Sequence, residues 1–300
     1  VGSEMCIRDR YNSYPKFGKG IPNFIYHSEV VLNIAFWSSA SGKSATSGNM
    51  IAVGTMASLV YSLKTVFVQF DYLSKPIEEV FEGKKTNNFI RDEVSYYKNE
   101  GIDEILSKLK LKKLNDEVIV DNIKNIKNTT LYYIPSSRKV RNGIDEESAE
   151  YLSSDLPKAL DKIADISLID NQNGNRRLSK KSLRDCDVIV FNLYQGIEGI
   201  EKILEDENIR KKAVFLVGKY DEESKDNLSA IRKRYNLGRD EIGVIPYNIH
   251  FHDAINEGKV VEYIGKSMYS KRNDTDFDFI NELYKSTNLI LKKAGINEVT

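Results

Sequence analysis

Residues 30–62 read VVLNIAFWSSASGKSATSGNMIAVGTMASLVYS, and this stretch decides the fold. It opens with an apolar run at 30–37, which predicts a buried β-strand. A loop of small residues then leads to Gly42, Lys43 and Ser44, and a long helical pattern follows without a break. A strand, a tight loop, Gly-Lys-Ser and a helix are the parts of a phosphate-binding loop. The stretch therefore predicts that the chain binds a nucleotide.

Each part of such a loop has a chemical task. Backbone N–H groups at the helix N-terminus hold an anion, the lysine reaches the outer phosphates, and the hydroxyl that follows it holds Mg²⁺. On this interpretation the nucleotide is bound by Ser39, Ser41, Gly42, Lys43, Ser44 and Ala45. The usual pattern has glycine where this chain has Trp37. The alternative is a Ser/Gly turn that caps a core helix and leaves Lys43 in solvent.

The composition predicts a soluble globular protein. Hydrophobic residues make up 41% of the 300 residues, charged residues make up 29%, and the formal net charge is zero. No overall field therefore attracts the chain to DNA or to anionic lipid. Cys6 and Cys186 are too far apart for a metal or redox motif, which suits a reducing cytosol. No apolar stretch is long enough to span a membrane.

The N-terminal segment differs in character from the rest of the chain. Its first ten residues, VGSEMCIRDR, resemble a translated sequencing adapter and are set aside from fold reasoning. Residues 11–29 have loop-like composition, and we expect upstream sequence read in frame, with Leu32 as an alternative start. We therefore expect residues 1–29 to be non-native or disordered, and residues 30–300 to form one nucleotide-binding domain.

The rest of the chain alternates strand and helix patterns. Apolar runs predict strands at 65–71, 131–134, 165–170, 187–193, 213–217 and 243–246. Helical spacing predicts helices at 75–81, 151–163, 197–211, 225–235 and 276–293, and a helical insertion at about 82–128. Strands that are apolar on both faces predict an α/β, P-loop NTPase-like fold: a doubly wound, mostly parallel sheet with helices on both faces.

Polar residues collect at the predicted strand ends. Lys43, Asp71, Asp170 and Pro246 all fall at carboxyl ends, where ligands bind in folds of this kind. Each carboxylate also has a structural alternative. Asp170 is followed by asparagine, as in an Asx turn, and Asp71 could be a helix cap or a surface acid. The convergence nevertheless favours a nucleotide site at this edge.

With its elements in this order, the chain resembles the ParA/MinD family of P-loop ATPases, which have a deviant Walker A loop. The resemblance covers residues 30–265. The family loop reads K-G-G-x-G-K-[ST], with an Asn six positions after the second Lys. Gly42, Lys43, Ser44 and Asn49 match that pattern without a gap.

Later segments match the same family in the same order. Asp71 takes the second acidic position after the second strand, and LIDNQNG, with Asp170 and Gly174, is similar to the Walker B segment. GVIPYNIHFHDAINEGKVV is similar to the segment that implies Pro246 and Tyr247 lie near the adenine. The letters FWS after the first strand resemble the CpaE-like branch, which is linked to pilus assembly.

The resemblance implies roles for the site residues. Lys43 would contact the β- and γ-phosphates of ATP, Ser44 and Asp170 would hold Mg²⁺, and Asp71 would orient the attacking water. The chain would then act as an ATP-dependent homodimer switch with an unknown protein partner, in plasmid partition, division-site placement or pilus assembly. The implied location is the bacterial cytoplasm, peripheral to the membrane or nucleoid. Contact with DNA or a membrane surface is unsupported by the net charge.

Several positions depart from the family pattern. The signature lysine falls at Ser38, its two glycines fall at Ser39 and Ala40, and Gln69 replaces an acid. Gly218 stands where an adenine-contacting Asn is often found. Because a missing cation weakens phosphate stabilisation, binding is better supported than hydrolysis, and we expect a weak ATPase. The alternatives are a scaffold that binds nucleotide without hydrolysis and works through protein interactions, and an interaction protein that has lost the site.

Two further patterns receive structural interpretations. His250 and His252 alternate along a stretch that reads as extended, and no third zinc ligand is evident. The last helical pattern has Phe277, Ile280 and Tyr284 on one side. We expect it to pack on the core, with membrane targeting as the alternative, because its polar face holds few cations.

Overall fold

The structure is a computed structural model. It describes residues 31–40, 42–70, 75–83, 100–136, 146–161, 163–171, 177–196 and 200–296. Predictions that concern residues 1–29, Ser41 and Asp71 lie outside the described residues and stay predictions.

One mixed sheet runs through the described part of the chain. Its strands are β1 (Leu32–Trp37), β2 (Thr65–Gln69), β3 (Lys124–Asn125), β4 (Leu131–Tyr133), β5 (Ile166–Asp170), β6 (Val188–Leu193), β7 (Ala213–Tyr220) and β8 (Ile242–Pro246). They are ordered β3-β4-β2-β5-β1-β6-β7-β8, and each pair is parallel except the edge pair β3–β4. The central β1 lies between β5 and β6. This doubly wound, mostly parallel sheet confirms the predicted fold class.

Helices connect the strands. They are α1 (Thr46–Tyr61), α2 (Ile77–Glu82), α3 (Ile102–Lys110), α4 (Asp116–Asn122), α5 (Glu146–Leu160), α6 (Arg177–Asp185), α7 (Glu201–Glu205), α8 (Glu207–Lys212), α9 (Leu228–Tyr235), α10 (Ile249–Glu257), α11 (Val260–Ser267) and α12 (Phe277–Lys293). Within 82–128 lie α3, α4 and β3. That this region is an insertion stays a prediction.

Helices cover both faces of the sheet because successive strand residues point to opposite sides. In β2, Phe67 belongs to the core beneath α1, whereas Val66 and Val68 belong to the core beneath α3, α4 and α5. A third cluster, around Phe191 and Phe215, packs beneath α9. The strands are therefore buried on both faces, as their continuous apolar runs predict.

Helix α1 is the central helix of the fold and is buried on nearly all sides. It contacts β2 and β5 on one side and α11 and α12 on the other. At Gly54 the helix approaches the sheet closely, since an added Cβ would lie 2.5 Å from the Phe67 ring and 2.6 Å from Leu168 Cδ1. The helix is apolar on all of its faces because the sheet packs on one side of it and α11 and α12 pack on the other.

Two local predictions are wrong. The helix expected at 197–211 is divided into α7 and α8, because the Asp206 side chain accepts hydrogen bonds from Asn208 N and Ile209 N and starts a new helix. The stretch that holds His250 and His252 is helix α10 rather than an extended segment. Asn248 caps this helix by accepting a hydrogen bond from Phe251 N.

The last helix, α12, packs on the core as expected. Its buried residues include Phe279, Ile280, Leu283 and Ile290, and it lies against β8 and α1. Among the helices of the described residues, none combines the length and apolar character needed to cross a bilayer.

Candidate functional site

Several predicted site residues lie at one edge of the sheet, where the parallel strands end. The loop at 38–45 follows β1, and Asp170 ends the neighbouring β5, opposite Phe36. Pro246 ends β8, which β6 and β7 separate from β1. The structure thus brings the loop and Asp170 to adjacent strand ends and leaves Pro246 further along the same edge.

The loop is closed by its own hydroxyl groups. Ser38 is 1% exposed, and its Oγ accepts hydrogen bonds from Ala40 N (3.1 Å) and Ser44 Oγ (2.7 Å). The Ser44 hydroxyl also lies 3.4 Å from Ala40 O and 3.2 Å from Thr46 Oγ1. The Ser44 side chain is therefore buried and directed into the loop, and Ser38, at the position of the family's signature lysine, closes the loop.

Asn49 joins the loop to the sheet. Its buried Nδ2 donates to Ser44 O (3.1 Å) and to Asn192 Oδ1 on β6 (2.8 Å). On β7, a Cβ added to Gly218 would lie 2.2 Å from Ser44 O and 2.6 Å from Asn49 Nδ2. The loop packs so tightly on β7 that only glycine fits at position 218, which is a physical reason for the departure there.

Lys43 and Gly42 form the exposed part of the loop. Lys43 Nζ lies 5.1 Å from the centroid of the Tyr194 ring, within the range of a cation–π contact. Gly42 has a positive φ of 73°, and nothing lies within 4 Å of an added Cβ. The first turn of α1 contains no acidic residue, so no carboxylate there repels an anion. A phosphate group can therefore approach this backbone.

Asp170 is buried at the end of β5, with 1% of its surface exposed. Its Oδ2 accepts a hydrogen bond of 2.6 Å from Ser47 Oγ, in the first turn of α1. Among the contacts described, Asp170 thus accepts from the hydroxyl of Ser47, three residues after Ser44 in the sequence. A carboxylate is a hard oxygen ligand of the kind that Mg²⁺ prefers.

Gln69, at the end of β2, holds the start of α2. Its Nε2 donates to Lys75 O (3.0 Å), and its Oε1 accepts from Ile77 N (3.2 Å) and Ser136 Oγ (2.6 Å). The amide is used as donor and acceptor at once. An ionised carboxylate accepts only, so glutamine suits this position better than the acid that the family pattern has.

A small pocket of about 70 Å³ lies between α1, α2 and α10. Ser47, Gln69, Lys75 and Asp170 form its polar lining, and Lys75 Nζ donates to Ile255 O (2.8 Å). The remaining lining is mostly apolar: Gly48, Met50, Ile51, Ile77, Val80 and Ile255. The buried carboxylate of Asp170 thus borders a cavity rather than solid core.

The residues predicted to lie near the adenine base, Pro246 and Tyr247, are at the end of β8 and directly after it. Tyr247 is 57% exposed, and its backbone N–H donates to Tyr220 O (3.3 Å). Lys219, beside Gly218, has a positive φ of 51° where the register of β7 and β8 shifts. An exposed aromatic ring with a fixed backbone can stack on a flat ligand.

The two histidines of α10 bond to different partners. His250 Nδ1 lies 2.9 Å from Asp276 Oδ1, and His252 Nε2 lies 3.2 Å from Asn256 Nδ2. In the described part of the chain, no three His, Cys, Asp or Glu side chains form a metal-binding group. Burial raises the pKa of the Cys186 thiol to about 12, which disfavours the reactive thiolate.

Sequence reasoning missed Ser47, Asn192 and Tyr194. Asn192 had a signal, since it is the one polar residue in the apolar strand VIVFNL. No sequence pattern marked Ser47 or Tyr194, because their contacts depend on how α1 and β6 approach the loop. Ser39 is exposed and Ala45 is half-buried, and their roles in binding nucleotide stay predictions.

Comparison by sequence matched this chain to no protein family and to no curated protein. Comparison by structure, in contrast, found many similar folds. The sheet order, the loop after β1 and the helices on both faces define an α/β P-loop NTPase fold.

More narrowly, the fold is that of ParA and MinD ATPases. A ParA family ATPase from Chlorobium tepidum is 13% identical, with a TM-score of 0.63 over 87% of this chain and 98% of that chain. MinD from Pyrococcus horikoshii, complexed with Mg-ADP, is 16% identical, with a TM-score of 0.56 over 89% and 98%. A variant of McdA from Cyanothece in complex with ATP is 14% identical, with a TM-score of 0.60 over 91% and 100%.

Proposed function

We propose that this chain binds Mg-ATP as a ParA/MinD-type ATPase with a deviant Walker A loop, and that it acts as a nucleotide-dependent dimer switch. The proposal rests above all on Lys43. This lysine is exposed beside the open Gly42 backbone, at the end of the central strand and next to the strand that ends in Asp170. Similar folds in complex with Mg-ADP and ATP support the nucleotide and the metal.

On this proposal each group has a task. The Lys43 ammonium and the backbone of residues 39–45 would hold the phosphates, and Ser44 and Asp170 would hold Mg²⁺. Mg²⁺ would neutralise charge on the phosphate oxygens when it is bound. The Tyr247 ring would cover the base beside Pro246. Asp71 would orient water for hydrolysis.

The first prediction concerns Lys43. We expect Lys43→Ala to weaken Mg-ATP binding to the full chain by tenfold to a hundredfold, about 1.5–3 kcal/mol, because a charge-assisted contact with phosphate is lost. Isothermal titration calorimetry measures this difference directly. Lys266→Ala is the matched control, since this lysine is exposed in the last turn of α11 and pairs only with Glu262 among the contacts described.

Equal affinity of Lys43→Ala and wild type for Mg-ATP would contradict a phosphate role for the loop. No binding by either protein would instead favour an interaction protein that has lost the site. Unchanged binding in Lys266→Ala is needed to exclude a general effect of removing a lysine.

A scaffold that binds ATP without hydrolysis is the second candidate. The observation that favours it is the burial of Ser38, whose hydroxyl is engaged inside the loop and carries no charge to offer to the phosphates of a second subunit. Steady-state release of phosphate distinguishes the two. A rate of phosphate release per subunit that rises with protein concentration supports the dimeric ATPase. Tight binding of ATP without phosphate release supports the scaffold.

The partner and the process are part of the same proposal. Nucleotide-dependent homodimers would bind a protein partner in plasmid partition, division-site placement or CpaE-like pilus assembly, in the bacterial cytoplasm or at a surface bordering it. Sedimentation velocity with and without Mg-ATP tests the dimer. A monomer under both conditions would contradict the switch.

A further inference from the structure

The end of β6 places a tyrosine ring beside Lys43. Tyr194 directly follows β6, and the Lys43 ammonium lies 5.1 Å from the centroid of its ring. A cation within about 6 Å of an aromatic face is attracted by the quadrupole of the ring. Among the described residues, no carboxylate forms an ion pair with this ammonium. The ring is therefore the partner that the structure gives to the Lys43 ammonium.

Contacts on both sides of Tyr194 fix the position of its backbone. Asn192, two residues before it, accepts a hydrogen bond from Asn49 Nδ2 (2.8 Å) in α1. Gln195, the next residue, accepts from Asp221 N (2.8 Å) and donates to Asp221 O (2.7 Å), directly after β7. The segment that carries the tyrosine is thus joined both to the helix that follows the loop and to the neighbouring strand.

The turn at Gly196 packs against the same ring. Gly196 has a positive φ of 101°, which glycine adopts without strain, and an added Cβ would lie 3.3 Å from Tyr194 Cε2. The backbone of the turn therefore lies close to the edge of the ring. A ring that is already held in this way loses little conformational freedom when it binds an ammonium group.

The contact with Tyr194 draws Lys43 to one side of the central strand. In the sheet, β1 lies between β5 and β6, so the ring at the end of β6 and Asp170 at the end of β5 are on opposite sides of it. In the proposed site Asp170 holds the Mg²⁺ that bridges the outer phosphates. These phosphates therefore lie towards β5, and Lys43 has to leave the ring in order to reach them.

We infer that Tyr194 is a positioning residue of this site, which holds the Lys43 ammonium in the nucleotide-free protein and releases it when Mg-ATP binds. The inference rests on the proposed binding of Mg-ATP, whereas the contact itself is present without nucleotide. Because the contact is broken before Lys43 binds phosphate, it lowers the affinity for ATP. A cation–π contact at an exposed site corresponds to a factor of about twofold to fivefold in affinity.

The test uses three variants of the full chain: Tyr194→Ala, Tyr194→Phe and Tyr235→Ala. Phenylalanine at position 194 keeps an aromatic face for the ammonium. Tyr235 is the matched control, since its half-buried ring lies 6.0 Å from the Arg234 guanidinium in the last turn of α9. Isothermal titration calorimetry measures the affinity of each protein for Mg-ATP.

Nuclear magnetic resonance of the nucleotide-free proteins gives a second measurement, after the lysines have been dimethylated with an isotopic label. The ring current of Tyr194 displaces the methyl signal of Lys43 from those of solvent-exposed lysines. This signal is identified by its absence from Lys43→Ala. A purely structural role of Tyr194 would not displace it.

We expect Tyr194→Ala to bind Mg-ATP about twofold to fivefold more tightly than the wild type, because Lys43 is no longer held by the ring. Tyr194→Phe and Tyr235→Ala should bind as the wild type does. The displacement of the Lys43 methyl signal should be lost in Tyr194→Ala and kept in the other two variants. Damage to the fold would weaken binding, so it cannot produce the expected result.

The inference and the proposed function fail in distinguishable ways. If the wild type binds Mg-ATP and Tyr194→Ala binds it equally or more weakly, the inference is overturned and the proposed function stands. A Lys43 methyl signal that Tyr194→Ala leaves unchanged also overturns the inference. If none of the proteins binds Mg-ATP, the proposed function fails, and the methyl signal still decides whether Tyr194 holds Lys43.

Discussion

At the scale of single residues, three departures from the family pattern are explained by local contacts. Ser38 closes the loop by accepting from Ala40 N, Gln69 donates to Lys75 O, and Gly218 leaves room for Ser44 O. A lysine, an acid and an asparagine at these positions would each lose the contact or the space observed here. Each of these three departures is therefore accommodated by the structure around it.

Asn49 provides the residue-scale prediction. We expect Asn49→Ala to lower the free energy of unfolding by about 1–3 kcal/mol, because Ser44 O and Asn192 Oδ1 would lose their donor inside the protein. Urea unfolding measures this loss. Asn256→Ala is the control, since this exposed asparagine on α10 bonds only to His252 among the contacts described, and a change within about 0.5 kcal/mol is expected. A loss no larger in Asn49→Ala than in the control would contradict the bridging role.

At the scale of elements, close approach of helix and sheet explains the composition of α1. Glycine in a helix costs about 0.5–1 kcal/mol relative to alanine, yet α1 keeps Gly48 and Gly54. At Gly54 the Phe67 ring and Leu168 fill the space of a side chain, whereas at Gly48 the nearest atom to an added Cβ is 3.8 Å away. The two glycines therefore have different structural roles.

The element-scale prediction is a matched pair of substitutions in one helix. Gly54→Ala should lower the free energy of unfolding by about 1–3 kcal/mol, because the methyl group overlaps Phe67 and Leu168. Gly48→Ala should instead be neutral or raise it by about 0.5–1 kcal/mol through helix propensity. Chemical denaturation of both variants gives the comparison. Stabilisation by Gly54→Ala would mean that α1 can move away from the sheet.

At the scale of the whole molecule, a polar cluster joins the turn after β8 to α11 and α12. Asp276 Oδ1 accepts from Asn248 Nδ2 (2.8 Å) and Tyr263 OH (3.0 Å), and it contacts His250 Nδ1 (2.9 Å). Burial alone would raise the pKa of the Asp276 carboxyl, but hydrogen bonds from His250, Asn248 and Tyr263 outweigh it and hold the pKa below its usual value. The ionised form is thus favoured in the folded protein.

A depressed pKa makes the folded state sensitive to acid. The stabilisation from Asp276 is present above its unfolded pKa, about 4, and is lost as the pH falls through the folded value. We expect the difference in the free energy of unfolding between wild type and Asp276→Asn to be largest near pH 5 and to shrink towards pH 3. Urea unfolding across this range measures it. Asp253→Asn, an exposed carboxylate on α10, is the control, and a pH-independent difference for Asp276→Asn would contradict the linkage.

The sequence by itself determined the parallel strands of the sheet, its burial on both faces, and the edge that carries Lys43 and Asp170, but it did not predict α6, α10 and α11. These features follow from periodicity and from residues close together in the chain, which is why they could be predicted. The helix break at Asp206 could also have been predicted from local sequence, because aspartate is a common N-cap residue and lies directly before the new helix.

Only the tertiary structure decided which hydroxyl faces Asp170, why Gly218 has no side chain, and where His250 bonds. Ser47 and Asp170 are 123 positions apart, and Asn49 and Asn192 are 143 apart. Contacts of this kind depend on the packing of α1 against the sheet, which no local pattern records. The site was thus predictable as a place on the fold, whereas its hydrogen bonds required the three-dimensional arrangement of the elements.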